Sequence, residues 1–296
     1  MSGLPYDEWR DTLETVHMWT QIVGKIQLAL APPVNHWWHI AQHVTARGLT
    51  TGPLPHGQRT FEIDLDFVDH VCRVLVSDGD VARVALEPMP VAEFHDRLVA
   101  ELDERGLHVD FWRRPVEILD PIAFDEDRVH RSYAAERVTR FFQALAGADR
   151  ILRQFRGEFI GKSSPVHFFW GSFDLAVSRF SGRPAPPHPG GIPNLADWVT
   201  RAAYSHEVFS AGWWPGNEAY PKPAFYAYVY TEPEGFSEAQ VPSGASYHPD
   251  LREFVLPWPE ERGAGPDADG VLAFLHSAYS AAADLGEWDR RELEPQ

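Results

Sequence analysis

Apolar residues recur at helical spacing in four stretches of the chain. In the first, Trp9, Leu13 and Val16 share one face, and this spacing predicts a helix over 6–25. We expect that helix to end near Gly24, because glycine commonly closes helices. The same periodicity predicts further helices at 90–106, 133–160 and 268–285.

Strict alternation of apolar and polar residues predicts strands. The segment FEIDLDF (61–67) places Phe61, Ile63 and Leu65 on one face and its carboxylates on the other. Short turns, not crossover helices, join the predicted strands, so the sheets should be mainly antiparallel. The chain is therefore predicted to be an α+β protein with helices on one face of each sheet. Further strands are predicted after Pro33 and within 71–86, 108–118, 167–179, 206–214, 223–233 and 252–258.

The order of helix, aromatic strand, further strands and closing helix occurs twice, which indicates an internal duplication. An N-terminal α+β half at 1–120 and a C-terminal half at 121–296 are expected to pack together, with a cleft or an aromatic face between or beside them. The Pro33 and Pro165 segments should then be equivalent strands of superposable halves. Their ungapped alignment pairs Trp38 with Trp170, Arg47 with Arg179, and Pro55-His56 with Pro187-His188.

Charge and cysteine content narrow the classes of partner. The 296 residues carry a net charge of −17, which opposes binding to nucleic acid or to an anionic membrane. Cys72 is alone, which excludes a disulfide or a thiolate zinc site within the chain. Residues 1–10 lack the pattern of a signal peptide, and no apolar run approaches the ~20 residues of a membrane span. We expect a cytoplasmic protein with neither a nucleic-acid nor a membrane partner.

A histidine triplet is the one candidate metal site. His39 and His43 would share a helix face, but on a strand they lie roughly 13 Å apart. The surrounding Trp-Trp and Val-Thr pairs favour a strand, so we predict no metal held by His36, His39 and His43 together. A His36 ligand joined by His or Asp from other strands stays open. No standard cofactor motif is present, and no cofactor is predicted.

Several segments resemble a bacterial protein family known only as a domain of unknown function. The resemblance extends from Leu4 to about Arg290 and implies no activity, fold or cofactor. The segments that carry it are PVNHWWH, FEIDLDFVDH, SPVHFFWGSFDLAVSRFSGR, PPHPGG and AYSHEV.

Alternation in the later strands separates an apolar face from an aromatic and polar one. Left open to water, the second face would be an apolar patch of several hundred Å2, which soluble monomers seldom tolerate. The other half, the proline-rich segment 181–198, a second subunit or a ligand must therefore cover it. Trp170, Asp174, His206, Trp214 and Tyr228 are predicted to share one pocket that faces away from Phe169, Phe173 and Phe225.

Such a pocket suits a small organic molecule. Asp174 and His206 are the candidate acid–base pair, and His36 is a third catalytic candidate. His206 is alternatively a core histidine, Arg179 a salt-bridge partner at a strand end, and His188 a turn residue. The candidates for substrate binding are Trp38, Trp170, Arg179, His188, Trp214, Tyr226 and Tyr228.

The predicted function is a small-molecule enzyme that uses His/Asp acid–base chemistry in this aromatic pocket. The alternatives are a ligand-binding or sensor protein without chemistry, and a structural module whose aromatic face packs on another chain. The last alternative implies a possible homodimer.

Overall fold

The computed structural model describes residues 4–258 and 267–295. Two antiparallel sheets and the helices packed on them confirm the predicted α+β class. The helices are α1 (Tyr6–Leu30), α2 (Val91–Glu104), α3 (Ala135–Gly157), α4 (Asp197–Ala203), α5 (Ala268–Leu285) and α6 (Arg290–Leu293), and Asn35–Ile40 and Phe236–Glu238 are 3-10 segments. The strands are β1 (His43–Val44), β2 (Gly48–Thr50), β3 (Leu54–His56), β4 (Arg59–Asp66), β5 (Val71–Val76), β6 (Val81–Ala85), β7 (His167–Phe169), β8 (Asp174–Pro184), β9 (His206–Trp214), β10 (Ala224–Tyr230), β11 (Ser246–His248) and β12 (Glu253–Pro257).

The N-terminal sheet is built from β1 to β6. Its strands follow the order β1-β2-β4-β5-β6, and β3 also pairs with β4. Phe61 and Ile63 of β4 are fully buried and lie opposite two valines of β5. Alternation therefore predicted this strand correctly, because burial of one face of a sheet requires a two-residue period.

The C-terminal sheet has the order β11-β12-β10-β9-β8-β7, and every pair in it is antiparallel. One predicted strand, 167–179, is instead a hairpin: β7 ends at Phe169, and a turn containing Phe173 at φ 58° leads into β8. Phe169 pairs with Asp174 across this hairpin. Because cross-strand partners point to the same face, Phe169 lies on the polar face and not in the core as predicted.

Helix α1 continues past Gly24 and ends at Leu30, so the predicted helix end was wrong. A Cβ at position 24 would overlap the indole ring of Trp170, which lies directly against the helix backbone. Glycine is thus required inside α1 for a close contact and does not terminate the helix.

The strand predicted at 108–118 does not form. The backbone of Val116 is satisfied by one side chain: its N–H donates to Gln21 Oε1 at 2.9 Å, and its carbonyl accepts from Gln21 Nε2 at 3.0 Å. A glutamine of α1 therefore replaces the neighbouring strand that the ladder would need.

The alignment of Pro33 with Pro165 fails at the level of residues. Asn35–Ile40 is a 3-10 segment with positive φ at His36 (57°) and Trp37 (63°), whereas His167–Phe169 is a strand. A backbone with two successive positive φ values cannot continue a strand. Each half still contains a long helix, an antiparallel sheet and a closing helix in that order, so the duplication itself stays a prediction.

A backbone bridge joins the two sheets. Gln42 and Phe168 exchange both backbone hydrogen bonds, at 2.9 and 2.7 Å, beside β1 and β7. One cluster of buried apolar residues then runs from α1 and α2 into both sheets. Among the described residues, no helix is both long and apolar enough to cross a membrane.

Candidate functional site

A cavity of about 500 Å3, here called the aromatic cavity, lies on one face of the C-terminal sheet. Helices α3 and α5 pack on the opposite face of that sheet. Ten aromatic side chains line the cavity, namely two phenylalanines, three tyrosines and the five tryptophans Trp37, Trp38, Trp112, Trp170 and Trp198. Its size and apolar walls are those of a site for a small organic molecule.

The floor of the aromatic cavity is formed by neighbouring strands. Ser178 of β8 lies opposite Ser210 of β9, and Ser210 lies opposite Tyr228 of β10. These three residues all line the aromatic cavity, as do Asp174 and Tyr226. Strand alternation thus places one polar and aromatic row on the cavity side, as the sequence predicted for these strands.

The proline-rich segment forms part of the roof. Residues 181–184 extend β8, and the remainder crosses the cavity and ends in α4. Pro193 O accepts a hydrogen bond from Glu117 N at 3.0 Å, and Val199 O accepts one from Trp37 Nε1 at 3.0 Å. The roof is therefore joined to both the 3-10 segment and the chain around Glu117, and Trp112 and Trp198 stay largely exposed at its edge.

Trp170 is locked into the cavity wall by several contacts. Its indole lies on Gly24, and its Nε1–H donates to Ile40 O at 2.8 Å. His17 Nε2 lies 2.9 and 3.0 Å from the carbonyl oxygens of Trp170 and Gly171, so this nitrogen carries a proton and donates to them. Burial lowers the pKa of His17 to about 4, so this buried ring is neutral at neutral pH.

Asp174 is a half-buried carboxylate with two hydroxyl donors. Ser172 Oγ donates to one of its oxygens and Tyr226 OH to the other. Burial raises the pKa of Asp174, and these two hydrogen bonds oppose that change. Of the acidic groups around the cavity, Asp174 is the one best supplied with donors to hold a negative charge.

Glu117 supplies a second carboxyl, which sequence analysis missed. Its backbone has φ 60°, and its Oε1 packs so closely on Gly171 that a Cβ there would overlap it. No described residue donates a hydrogen bond to this carboxyl. Burial, and next the charge of Asp174, raise the pKa of Glu117 to about 7, against an opposing effect of Lys25. The same two causes raise the pKa of Glu253, at the start of β12, to about 8.

Lys25 is a cation in the cavity wall. Its side chain is 4% exposed, and its Nζ lies 5.6 Å from the centre of the Trp170 ring. Within residues 4–258 and 267–295, no carboxylate oxygen lies within 4 Å of this ammonium. Burial lowers the pKa of Lys25 to about 8, and the charge of Glu117 partly offsets that change.

His36 lines the other end of the aromatic cavity. Its Nδ1–H donates to Ala203 O at 2.8 Å, so its Nε2 accepts from Lys162 Nζ at 2.7 Å. Burial lowers the pKa of His36. The Lys162 ammonium also lies 5.6 Å from the ring centre of Trp38. A neutral histidine is thus held between two fixed partners.

The predicted acid–base pair of Asp174 and His206 does not form. Strands β8 and β9 are antiparallel, so Asp174 lies beside the Trp214 end of β9, whereas His206 pairs with Pro184. Eight residue steps along β9 separate these ends, roughly 25 Å. His206 lies outside the cavity wall; its Nδ1 is 3.0 Å from Ser205 Oγ, and its ring centre is 5.7 Å from that of His36.

Two other predicted residues, Trp214 and His188, are also located away from the aromatic cavity. Trp214 is buried in a small cluster with Tyr226 and Val255. His188 stacks on Tyr204 with ring centres 4.8 Å apart and does not itself line the aromatic cavity. Of the predicted site residues, the structure does bring Asp174, His36, Trp38, Trp170, Tyr226 and Tyr228 to the cavity.

Arg179 lies on the opposite face of β8, because its position has the parity of the core residues. Its guanidinium stacks 3.5 Å from the centre of the Phe155 ring and donates to Phe155 O. Burial lowers the pKa of Arg179 to about 10. The predicted role in substrate binding is therefore corrected to one in packing between β8 and the end of α3.

We expect Arg179→Met to lower the free energy of unfolding by only about 1 kcal/mol, because methionine keeps the packing and removes a buried charge. The loss comes from the Phe155 carbonyl, which loses the guanidinium donor and keeps the backbone donor Glu158 N at 3.4 Å. Urea denaturation measures this value. Weakened binding of a ligand in the aromatic cavity by this variant would contradict the assignment of Arg179 to the other face.

The histidine triplet is divided among separate contacts. His39 Nδ1 accepts from Val34 N at 3.1 Å, and the His43 ring lies 6.3 Å from that of His167. Over the described ranges, no three His, Cys, Asp or Glu side chains are arranged to hold a metal ion.

The chain as a whole is similar to one protein family. The model of DUF5996, described as a family of unknown function, matches residues 1–295. This match confirms the resemblance that the sequence segments indicated, and no activity comes with it. No curated protein and no solved structure matches the chain.

Proposed function

We propose that this chain, which belongs to the DUF5996 family, is an enzyme that performs acid–base chemistry on a small organic molecule in the aromatic cavity. One observation carries the proposal: Lys25, Glu117 and Asp174 line the same cavity, and the pKa of each is displaced towards neutrality. Displaced pKa values in a concave apolar site are typical of groups that exchange protons during a reaction.

The two carboxyls support different roles. Asp174 accepts two hydroxyl hydrogen bonds, which favour its charged form. Glu117 has no such donors and lies near the Asp174 charge, so it holds and releases a proton near pH 7. One carboxylate that stays charged beside one that exchanges a proton is an arrangement that suits proton transfer. The His/Asp chemistry expected from the sequence is thus replaced by carboxyl and amine chemistry around the same Asp174.

The aromatic walls favour a flat, largely apolar substrate. Stacking on indole and phenol rings supplies binding energy, and exclusion of water strengthens the effect of Asp174 and Glu117 on the reacting atoms. The proline-rich roof already covers the aromatic face, so a second chain is not needed for that purpose. Proteins of oxidising compartments often carry disulfides, whereas this chain has one cysteine. We therefore keep the cytoplasm as the proposed place of the reaction.

A ligand-binding or sensor protein is the second candidate. It is favoured by the hydrogen bond between the roof and the 3-10 segment. This bond fixes the walls of the cavity, so a molecule could be held there without being converted. Both candidates require occupation of the aromatic cavity, and they differ only in whether the bound molecule is converted.

Purified protein should be incubated with a mixture of small aromatic acids, aldehydes, ketones and amines. Mass spectrometry measures consumption, and tryptophan fluorescence measures binding. Consumption supports the enzyme. Binding without consumption supports the sensor and overturns the enzyme, and neither signal overturns both.

The cavity itself is tested by filling it. Ser178→Phe projects a ring from β8 into the aromatic cavity, and we expect at least about tenfold weaker binding of any ligand found. Ser181→Phe, at the edge of β8 outside the cavity lining, is the matched control. Equal effects of the two substitutions would contradict the location of the site.

A further inference from the structure

We propose that Lys25 is the nucleophile of the aromatic cavity and that it forms a Schiff base with an apolar aldehyde or ketone. This inference rests on the proposed function, which it deepens by naming the class of substrate and the attacking atom. It concerns a residue that neither the sequence motifs nor the family description assigns.

Lys25 is a buried cation without an ion pair in the described parts of the chain. Lys25 is 4% exposed, and within the described parts of the chain no carboxylate oxygen lies within 4 Å of its ammonium. Burial of an unpaired charge is expensive, so a lysine kept in this position requires a reason other than stability. Lys162 is a useful contrast, because it donates to His36 at 2.7 Å.

Lys25 lies in the wall of the aromatic cavity. Its Nζ is placed by the face of Trp170, and the residue lines the aromatic cavity together with Glu117 and Asp174. Trp170 is itself fixed by Gly24 and Ile40. A bound molecule in the aromatic cavity therefore meets an amine whose surroundings are rigid and apolar, which is the environment of known nucleophilic lysines.

The protonation state of the Lys25 amine also favours attack on a carbonyl group. Only a neutral amine attacks a carbonyl carbon, and burial lowers the pKa of Lys25 to about 8. About a tenth of the Lys25 side chains are then neutral at pH 7, which is far more than for an ordinary lysine with a pKa near 10.4. Glu117, whose pKa is raised to about 7, is the adjacent group that can donate and accept the protons of the reaction.

The chemistry balances without any co-reactant. The neutral Lys25 nitrogen attacks the carbonyl carbon and forms a C–N bond, while its surplus proton is transferred through Glu117 to the former carbonyl oxygen. A proton from the Glu117 carboxyl then lets this oxygen leave as water, and the nitrogen lone pair closes the C=N bond. The products are a protonated imine on Lys25, one water molecule and a Glu117 carboxylate, and the negative charge of Asp174 stabilises the cation.

The test is reductive trapping with benzaldehyde and sodium cyanoborohydride at pH 7. The chain contains three lysines, Lys25, Lys162 and Lys222, so peptide mapping by mass spectrometry resolves every side-chain amine. We expect the benzyl adduct at Lys25 to form at least about tenfold faster than at Lys222, which is exposed. The rate at Lys25 should pass through a maximum between about pH 7 and about pH 8, because the neutral amine increases with pH while the protonated form of Glu117 decreases.

Lys25→Arg keeps a cation but removes the nucleophile, and Lys222→Arg is the matched control. The fast adduct should disappear in the first variant and persist in the second. If Lys25→Arg does not fold, the mapping of the parent protein still decides, because it compares lysines within one chain. Equal labelling of Lys25 and Lys222 would overturn the proposal.

The fluorescence titration separates the two failures. Quenching of tryptophan fluorescence by benzaldehyde without a Lys25 adduct overturns the Schiff base and leaves acid–base chemistry in the aromatic cavity standing. Absence of quenching, of an adduct and of any consumed compound in the mixture described above overturns the proposed function as well.

Discussion

Glu117→Gln should make the protein more stable than the parent at pH 8, by up to about 3 kcal/mol, and should leave its stability unchanged below pH 4.5. The pKa of Glu117 is raised to about 7 from 4.5, so between these values the unfolded chain releases a proton that the native protein retains. Stability from this group therefore falls as the pH rises through that window. An amide, which does not ionise, removes the loss. Urea denaturation at several pH values measures it.

The same substitution should abolish most of the activity. Removal of a positioned acid–base group typically costs about 100- to 10,000-fold in kcat, and we expect losses of that size for both Glu117→Gln and Asp174→Asn. Glu234→Gln, at an exposed position outside the cavity lining, is the matched control and should leave the activity unchanged. A stabilised Glu117→Gln that keeps full activity would mean that this carboxyl is buried without taking part in the reaction.

Glu253 is another carboxyl with a raised pKa, so its effect on stability can be compared with that of Glu117 in the same protein. Its pKa is raised to about 8 by burial and by Asp174, so Glu253→Gln should remove a loss of stability that extends about one pH unit higher than that of Glu117. Because Asp174 contributes to both shifts, Asp174→Asn should flatten the two profiles together. If Asp174→Asn leaves both pH profiles of stability unchanged, burial alone sets the pKa values of Glu117 and Glu253.

Alternation of side chains in the sequence predicted the cavity face of the C-terminal sheet. Asp174 and Tyr228 were expected in one pocket that faces away from Phe173 and Phe225, and both line the aromatic cavity. A register shift of one residue would have buried these polar side chains in the core. The assignment of faces is therefore strongly determined by the sequence. The same rule would have placed Arg179 correctly, since its parity is that of the core.

The remaining part of the site depends on contacts that no local pattern encodes. Glu117 reaches the cavity because Gln21 of α1 satisfies the backbone of Val116, in a segment whose alternation resembles a strand. His206 was misplaced because face parity says nothing about which end of a strand a residue occupies. Pairing order decides that, and pairing order is a long-range property. Lys25 gave one local signal, namely its rarity among 26 basic residues.

Trp170→Ala should lower the free energy of unfolding by about 3–5 kcal/mol, the usual cost of removing a buried indole. Trp170 is 3% exposed, and its ring covers Gly24 and donates to Ile40. The cavity wall would open towards α1, so binding of aromatic ligands should weaken as well. A loss below about 1 kcal/mol in urea denaturation would contradict this packing.

The contact between Gly24 and Trp170 can be measured as a coupling free energy between substitutions at the two positions. Alanine in a helix interior normally stabilises by about 1 kcal/mol over glycine, and Gly147→Ala in α3, where the nearest atom to a new Cβ is 3.8 Å away, should show that gain. At position 24 the Cβ overlaps the Trp170 indole, so Gly24→Ala should instead destabilise by about 2 kcal/mol. In the Trp170→Ala background the overlap is absent, and Gly24→Ala should become stabilising. Because the sign reverses only if the ring lies on the helix backbone, a double-mutant cycle with a coupling of about 2–3 kcal/mol tests the geometry that also places Trp170 beside Lys25.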